Sequence, residues 1–572
     1  MPSFTNLYVK PGTYVKIRRP QLPVIPSSIF IPAVIGIGRT DKDITSDAIV
    51  KGSANDKAII MTGYDDITSI SQVIDELGNT YRLTTDYLLI DDTVVPDGKK
   101  ETISWTPAIA AIVTGTKVET FNLSGLTFKM AINGGAVVTH TFASSFTSKT
   151  AAQIAIDLLV TFTTALGYAI AAGTGGDTGK VVISTLLTNG GIIEIVDGTA
   201  NAVLGFSVGK TYGSKEPVTG KKYYVSFVCP KSTDDYEPTL FADQNLIEDI
   251  YGDSDDLTGT SPDNTLSLGA KIMKQNGSAF IWCCQANVSG GIISGFEAAF
   301  DRLQAVTPWV IVPMLPISDT INTELLAYSK AHVNAMSNEI ENKYRTVILG
   351  AQKALDSKTA KSTSIAAYLS IFASLNTARM PYIVSSKCQR LVGDLLIDLD
   401  GCYLAAAVAG ICTNPTYDAG EPLSGKQIVG FTDISSSIYL NSELNYIAQY
   451  GGMIIEKEGT AFEIRHALTT DTTDAATQEF KVTKIQDYVA DTTRTALTKA
   501  FVRTRNTGGP TYSSMKTMIV MLLDMMIPNI ITDKDNINVQ PDPVEPRQIN
   551  VRFGIKPTWD IDWIYVEFGV IL

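Results

Sequence analysis

The sequence predicts a multidomain α/β protein, and three observations lead to this prediction. At 572 residues the chain exceeds the size at which a single hydrophobic core stops growing, so we expect about two to four domains. Apolar residues make up 45% of the chain and charged residues 18%, a composition typical of folded proteins. From Lys222 onward, short apolar runs alternate with amphipathic stretches, which predicts a mainly parallel sheet covered by helices.

The N-terminal region is predicted to begin with an extended arm. Residues 1–24 are rich in proline and basic side chains and show no helical periodicity, although residues 13–17 (TYVKI) favour a short strand. Residues 25–103 are assigned to the N-terminal part of the core. Their mostly apolar run 27–37 ends at Gly36 and Gly38, as a buried strand that leaves through a flexible turn does.

Residues 104–215 are predicted to form an inserted α+β surface domain rich in Thr and Gly, with the order strand, strand, helix, strand, strand. Thr150 and Gln153 have the spacing of a capping box at the start of the helix, and Gly167 ends it. The apolar stripe of this helix consists of Ile154, Leu158, Phe162 and Leu166. The four strands are predicted at 127–132, 137–142, 180–185 and 192–197.

The remaining chain is divided into a central α/β domain, 216–385, and a C-terminal domain, 386–572, that ends in strands. Strands are predicted at 223–228, 279–284, 309–315, 345–350 and 381–386, and helices at 240–251, 266–275, 295–305, 322–342, 359–375 and 393–411. Further on we predict a hairpin at 451–468, helices at 482–502 and 513–527, and final strands at 549–556 and 561–570. Pro541, Pro543 and Pro546 indicate an extended linker before these last strands.

The sequence does not match the usual motifs of an enzyme, so no catalytic residue and no cofactor is predicted. Residues 173–181 (GTGGDTGKV) depart from a phosphate-binding loop at both ends and indicate only a glycine-rich turn between a helix and a strand. The acidic run 249–256 lacks the glycine and the terminal Glu of a calcium loop. The three histidines have no GxSxG partner. Six cysteines without a CxxC pair predict reduced, buried thiols and no metal site.

Charge and hydropathy limit the partners. The net charge of −13 disfavours a nucleic-acid binder, which needs a concentrated basic face. No apolar segment is long enough for membrane insertion. The two ends of the chain carry opposite charge, because residues 1–40 contain five basic residues and no acid, and residues 560–572 contain three acids and no base.

Several segments, in order along the chain, resemble the family of contractile bacteriophage tail sheath proteins. Residues 10–15 (KPGTYV) are similar to the PGxYV element near the start of these proteins, and 33–40 (AVIGIGRT) to the strand and turn that follow. Residues 400–411 (DGCYLAAAVAGI) resemble the small-residue helix of the family. The segments 424–428, 440–458 and 462–470 follow at matching distances. The sequence departs from the family at TYV, where many members have VYV, and in its large insert.

The resemblance implies a structural subunit rather than an enzyme. It implies a subtilisin-like arrangement of the central α/β domain without protease activity, and a polymer of stacked six-subunit rings that contracts around a tail tube to drive it through the host envelope. The implied partners are further copies of the chain, the tail tube protein, and baseplate and terminator proteins. The implied location is the virion tail, assembled in the host cytoplasm.

Two sets of residues are predicted to make these contacts. Strand exchange between subunits is assigned to Thr13, Tyr14, Val15, Lys16, Ile17, Trp563, Ile564, Tyr565, Val566, Glu567 and Phe568. Contact with the tube is assigned to the basic residues Lys484, Arg494, Lys499, Arg503, Arg505 and Lys516. A merely solvated basic face explains the second set equally well.

Two other functions stay open from the sequence. The central sheet is compatible with an α/β hydrolase or a nucleotide-binding enzyme, against which the failed motifs count. The Thr/Gly/Ala-rich insert is compatible with another self-assembling virion protein, such as a tube or capsid component.

Overall fold

A computed structural model describes residues 30–559, except 51–57, 61–66, 78, 91–101, 133–134, 187–190, 216, 220, 339, 393, 504 and 544–547. The chain divides into two compact units, residues 1–39 together with 232–572, and residues 40–231. The domain boundaries predicted from the sequence stay predictions. The observed mixture of parallel and antiparallel sheets with helices is an α/β architecture.

The strands and helices of the described residues are as follows. The first strand of the first unit is β1 Pro32–Gly36, and strands β2 to β15 belong to the second unit. The other strands of the first unit are β16 Thr239–Phe241, β17 Leu257–Thr258, β18 Ser261–Pro262, β19 Ile281–Gln285, β20 Val310–Pro313, β21 Thr346–Val347, β22 Leu349–Gly350, β23 Tyr382–Val384, β24 Lys387–Val392, β25 Leu395–Asp400, β26 Gln427–Ile428, β27 Asp433–Ile434, β28 Gly452–Glu458, β29 Ala461–His466, β30 Ile531–Pro541 and β31 Ile549–Pro557. Its helices are α3 Gln244–Tyr251, α4 Thr265–Gln275, α5 Ile292–Leu303, α6 Thr323–Met336, α7 Lys361–Leu375, α8 Cys402–Cys412, α9 Asn441–Gln449, α10 Ala475–Gln478, α11 Phe480–Phe501 and α12 Gly509–Met526.

The second unit contains β2 Asp41–Val50, β3 Ala58–Ile60, β4 Ser69–Asp75, β5 Thr80–Tyr81, β6 Tyr87–Ile90, β7 Thr102–Trp105, β8 Ile112–Thr114, β9 Thr127–Ile132, β10 Val137–Thr141, α1 Ala151–Thr161, β11 Tyr168–Ala172, β12 Val181–Thr185, β13 Ile192–Val196, α2 Asn201–Leu204, β14 Gly209–Tyr212 and β15 Lys222–Pro230.

The first unit is built on a large, mainly parallel sheet. Its two halves have the orders β16-β19-β1-β20-β21 and β22-β23-β28-β29-β26. The segment 346–350 joins them, because the Thr346 amide donates to the Trp309 carbonyl oxygen at 2.7 Å on one side and the Leu349 amide donates to the Pro381 carbonyl oxygen at 3.0 Å on the other. The parallel strands are apolar runs buried on both faces, as predicted for strands covered by helices.

Helix α8 lies at the centre of the first unit, and every one of its residues is buried. Its small side chains allow close packing against α4. A Cβ atom added to Gly410 would come within 2.5 Å of the Met273 carbonyl oxygen. The predicted start of this helix at residue 393 is wrong, because residues 395–400 (LLIDLD) form strand β25. The alternation of buried and more exposed side chains at 397–400 has the period of a strand.

Two other predicted helices are shorter in the structure. Helix α3 begins after Asp243, whose side chain accepts a hydrogen bond from the Asn245 amide, since residues 239–241 belong to an edge strand. Helix α6 ends at Met336 rather than at 342. The helices predicted at 482–502 and 513–527 are confirmed as α11 and α12, and the hairpin predicted at 451–468 is confirmed as β28 and β29.

The second unit contains a separate apolar core around α1. This helix begins with the predicted capping box, in which Thr150 Oγ1 accepts from the Gln153 amide and Gln153 Oε1 accepts from the Thr150 amide. It ends at Thr161 instead of 166, and Gly167, with a φ of 88°, ends a separate turn of 3-10 helix. The glycine-rich segment near 175–177 connects two strands, β11 and β12, so the predicted turn between a helix and a strand is wrong.

Candidate assembly site

A two-stranded sheet follows α12. Strands β30 and β31, of 11 and 9 residues, pair antiparallel over most of their length. Within the described part of the chain, each of them has the other as its only strand partner. The sequence prediction missed β30 altogether and assigned only a proline-rich linker before the final strands. Two long outer edges of this sheet are therefore open among the described residues, and open edges are templates for pairing with another chain.

The hydrogen-bond alternation shows which backbone groups these edges present. Across the hairpin, the Asp542 amide donates to the Gln548 carbonyl oxygen at 3.0 Å. Bonded and non-bonded pairs alternate along an antiparallel ladder, so the pair Gln540–Asn550 bonds within the hairpin. The pair Val539–Val551, which follows in the register, turns its N–H and C=O groups to the two outer edges.

The apolar face of the hairpin packs on a buried core and is itself only partly buried. Val539, Val551, Phe553 and Ile555 pack on a buried cluster supplied mainly by α11 and α12. All four side chains stay half-buried. The fully buried members of that cluster are Ala419, Ile485, Val489, Ile519, Leu523, Met526, Ile530 and Ile531. Additional strands at the edges would extend the cover over this face.

The N-terminal half of α11 holds this core to the large sheet through a buried ion pair. The Asp487 side chain is 2% exposed and accepts two hydrogen bonds from the Arg379 guanidinium, at 2.7 and 2.9 Å. It also accepts one from Trp309 Nε1 at 2.8 Å. The three donors to this carboxylate all come from two residues outside α11, Arg379 and Trp309. These bonds fix the position of α11 relative to the large sheet.

Lys484 is a correction to the predicted tube-contact set. Its side chain is fully buried, its ammonium group donates to the Asp418 carbonyl oxygen at 3.2 Å, and burial lowers its pKa. The same group lies 4.9 Å from the ring centroid of Phe30. A buried amine one turn from the Asp487 ion pair cannot contact a second protein, so Lys484 has a role in the core.

Phe30, the first residue that the structure describes, is held in an aromatic cluster. Its ring lies edge-on to Trp309, with centroids 4.8 Å apart, and stacks on Tyr488 of α11 at 6.0 Å. It packs against both the main core and the core beneath the β30–β31 hairpin. The first unit therefore holds the chain at Phe30, shortly after residues 1–24, in which the N-terminal arm is predicted.

The other five predicted tube-contact residues lie around the end of the α11–α12 helical pair. Arg494, Lys499, Arg503, Arg505 and Lys516 are all exposed. Residues 492–523 contain these five basic residues and no acidic one, in a chain whose net charge is −13. Arg494 pairs with Asp491 in the preceding turn of the helix. The residues predicted to exchange as strands, at 13–17 and 563–568, lie outside the described residues.

The histidines of the described chain have structural partners. His140 bonds to Asp157 and Thr161, both at 2.8 Å, and His466 to Glu479 at 2.7 Å. His332 is buried against Arg345, and burial together with that charge lowers its pKa to about 3. A histidine with this pKa is unsuited to act as a general base.

The six cysteines are buried, as predicted. The described residues contain no cluster of three potential metal ligands. Among the described helices, none has the length and hydrophobicity of a membrane span.

The chain is similar in sequence to a phage tail protein. No family model matches the chain. It is similar to the tail sheath protein of Mycobacterium phage Bxz1, with 26% identity over 351 residues, which are 59% of this chain and 56% of that protein. The chain thus matches little more than half the length of this curated relative. The resemblance to contractile-tail sheath proteins seen in the sequence is confirmed by it.

Solved structures with lower identity were also found. The helical sheath of the anti-feeding prophage in its contracted state is 14% identical, with a TM-score of 0.44 over 59% of this chain and 90% of that chain. The sheath tail protein of Desulfitobacterium hafniense is 11% identical, with a TM-score of 0.38 over 96% of this chain and 100% of that chain.

Proposed function

We propose that the chain is the structural subunit of a contractile phage tail sheath. In this proposal, copies assemble as stacked hexameric rings around a tail tube and contract to drive the tube through the host envelope. The β30–β31 hairpin carries the proposal, because its two outer edges are open in the described chain and its apolar face is only partly buried. Such a sheet is completed by strands from other copies.

The strands that complete the sheet are assigned to the two chain ends. The segment Thr13–Ile17 of one neighbour and residues 563–568 of another would each pair with one outer edge of the hairpin. In the C-terminal segment Ile564, Val566 and Phe568 alternate with other residues, so they would form one apolar face. The basic N-terminal end and the acidic C-terminal end of the chain would favour the correct pairing.

Connections made by exchanged strands fit a sheath that contracts. Subunit bodies joined by exchanged strands can rotate and slide while the strands stay paired. The extended state would be held kinetically, and contraction would release free energy as new contacts form between bodies. We assign the chain a structural and not an enzymatic role, with a subtilisin-like arrangement of its central sheet. Baseplate and terminator proteins are its proposed further partners, and the virion tail, assembled in the host cytoplasm, is its proposed location.

Truncation tests strand exchange directly. Chains lacking residues 1–20 or residues 558–572 are expected to fold and stay monomeric, because each loses a donated strand and keeps its buried cores. The second truncation also removes the two hydrogen bonds that Thr558 donates to the Ile530 carbonyl oxygen. Electron microscopy and sedimentation of each truncated chain beside the full chain measure the outcome. Truncated chains that still formed striated cylinders would contradict strand exchange. If instead the full chain formed no polymer on tubes, the proposed function would be wrong.

We further propose that the basic end of the α11–α12 pair contacts the tube. Exposed ion pairs contribute only about 0–1 kcal/mol each and are screened by salt, which suits a contact that must release during contraction. The partner surface on the tube is then acidic. Lys484 is excluded from this contact by its burial.

Charge reversal tests the tube contact. The double variant Lys499→Glu, Arg503→Glu is expected to reduce assembly on tubes several-fold, and raised salt should reduce assembly of the unaltered chain in the same direction. The matched control is Lys117→Glu, Lys210→Glu, which reverses two exposed lysines of the second unit. Equal yields for both double variants would show that the basic end is merely solvated.

A further inference from the structure

Helix α12 carries a second apolar stripe beside the one that it buries in the core beneath the β30–β31 hairpin. This methionine stripe has the spacing i, i+3, i+4 and i+7 and consists of Met518, Met521, Leu522 and Met525. Met521 is 61% exposed, and the other three are half-buried. Among the described residues, none of the four is part of a hydrophobic core or packs against one. A helix that is apolar on more than one side is typical of a buried helix, so the stripe is suited to a further covering segment.

The described chain ends close to the C-terminal end of α12. The amide and Oγ1 of Thr558 both donate to the Ile530 carbonyl oxygen, at 3.3 and 3.2 Å. The Ile530 amide in turn donates to the carbonyl oxygen of Met526, the last residue of α12, at 2.9 Å. Residues 560–572, which lie outside the described residues, therefore begin at the end of the helix that carries the methionine stripe.

Residues 560–572 match the methionine stripe in pattern and in length. Ile564, Val566 and Phe568 alternate with other residues, so in an extended chain they share one apolar face. Helix α12 has 18 residues and is about 27 Å long. Residues 559–567 span about 30 Å when extended. A segment that turned back after Thr558 would thus lie along the whole helix.

The charge of the segment fits the far end of the helix. Helix α12 begins without a side-chain cap and without an acidic residue in its first turn, so its N-terminus carries partial positive charge. Arg503 and Arg505 precede it and are exposed, and residues 492–523 contain no acidic residue that could neutralise them. Residues 560–572 contain three acids and no base. An extended segment along α12 would bring Glu567 to this basic end.

We propose that residues 560–572 bind along the methionine stripe of α12 in their own subunit before assembly. The proposal rests on the proposed function, in which the same segment later pairs with the hairpin of a neighbour. Binding to α12 would keep the apolar face of the segment covered until a neighbour offers an open sheet edge. Exchange of one element between identical copies is a low-cost route to assembly. Departure of the segment would also free the basic end of α11–α12 for the tube.

Methionine oxidation tests the proposal on unassembled subunits. Hydrogen peroxide converts accessible methionine to the sulfoxide, and mass spectrometry measures the rate at each residue. A chain that ends at residue 559 keeps every described residue, and we expect several-fold faster oxidation of Met518, Met521 and Met525 than in the full chain. The rates at Met273 and Met314, which are buried, should stay low in both chains and thereby show that the body is folded.

Two double variants of the full chain are matched to separate packing from mere loss of a tail. Ile564→Ser, Val566→Ser removes the apolar face and is expected to raise the same three rates toward those of the shortened chain. Trp563→Ser, Tyr565→Ser changes the opposite face and should leave the stripe protected. Equal protection in both double variants would overturn the assignment of the apolar face to the stripe.

The outcomes also separate this inference from the proposed function. Equal oxidation rates in the full and shortened chains would overturn the contact, because residues 560–572 would then not cover the stripe. Protection that weakened on dilution would place the segment of a second copy on the stripe and would overturn binding within one subunit. Failure of the full chain to polymerise on tubes, judged by electron microscopy, would overturn the sheath function, whereas the oxidation rates decide the contact by themselves.

Discussion

A chain carrying Val551→Pro is expected to fold and to lose the ability to polymerise. The alternation of hydrogen bonds in the hairpin places the Val551 amide on the outer edge of β31, where it would donate to an added strand. Proline removes this donor, and an edge strand tolerates proline where its N–H faces outward. A decrease of polymer yield by at least tenfold in sedimentation assays, with an unfolding midpoint close to that of the unaltered chain, would support an exchanged strand at this edge.

Asn550→Pro is the matched control for this experiment. The amide of Asn550 bonds within the hairpin rather than at its edge, so proline there breaks the hairpin ladder itself. The control is expected to lower both stability and polymer yield, whereas Val551→Pro lowers the yield alone. Undiminished polymerisation by Val551→Pro would show that this edge accepts no strand. The corresponding change at the other edge, Val539→Pro, would then decide whether the hairpin takes part at all.

The sequence was most informative where a periodic pattern had a single structural solution. The sequence predicted the cap formed by Thr150 and Gln153, the apolar parallel strands and the helices α11 and α12. These predictions succeeded because local propensity and burial favour the same structure there. Predictions failed where two patterns competed. Residues 393–400 continued an apolar run into α8, yet their alternation and Gly401 favoured a strand followed by a new helix. The apolar residues of β30 are too widely spaced among polar ones for a strand to be recognised.

The candidate site was less accessible to sequence reasoning, because tertiary contacts define it. Lys484 and Asp487 lie three residues apart on α11 and both look like surface charges of an amphipathic helix. The structure buries both, one against Phe30 and the other against Arg379 and Trp309. These partners are more than 100 residues distant along the chain, so no local pattern identifies them. The five basic residues that remain exposed were predicted from charge alone, and their contact with a tube stays a prediction.

Asp487→Ala is expected to destabilise the subunit more than any other single polar substitution that we propose. The change leaves the guanidinium of Arg379, whose side chain is 20% exposed, without its carboxylate and Trp309 Nε1 without an acceptor. Removing one partner of a buried ion pair costs about 3–5 kcal/mol, a large part of the roughly 5–15 kcal/mol by which domains are stable. Because α11 carries the core beneath the hairpin, weaker hydrogen-exchange protection should appear in α11 and in β30–β31 first.

Asp491→Ala, one turn further along the same helix, is the control. It removes a pair with Arg494 in which both side chains are partly exposed, worth only about 0–1 kcal/mol. Both substitutions are best compared in the Val551→Pro chain, where contacts between copies do not add to the stability of the subunit. Denaturant midpoints should then decrease for Asp487→Ala and hardly change for Asp491→Ala. Equal midpoints for the two would mean that the Asp487 ion pair does not hold α11, and the hairpin would need another support in order to accept strands.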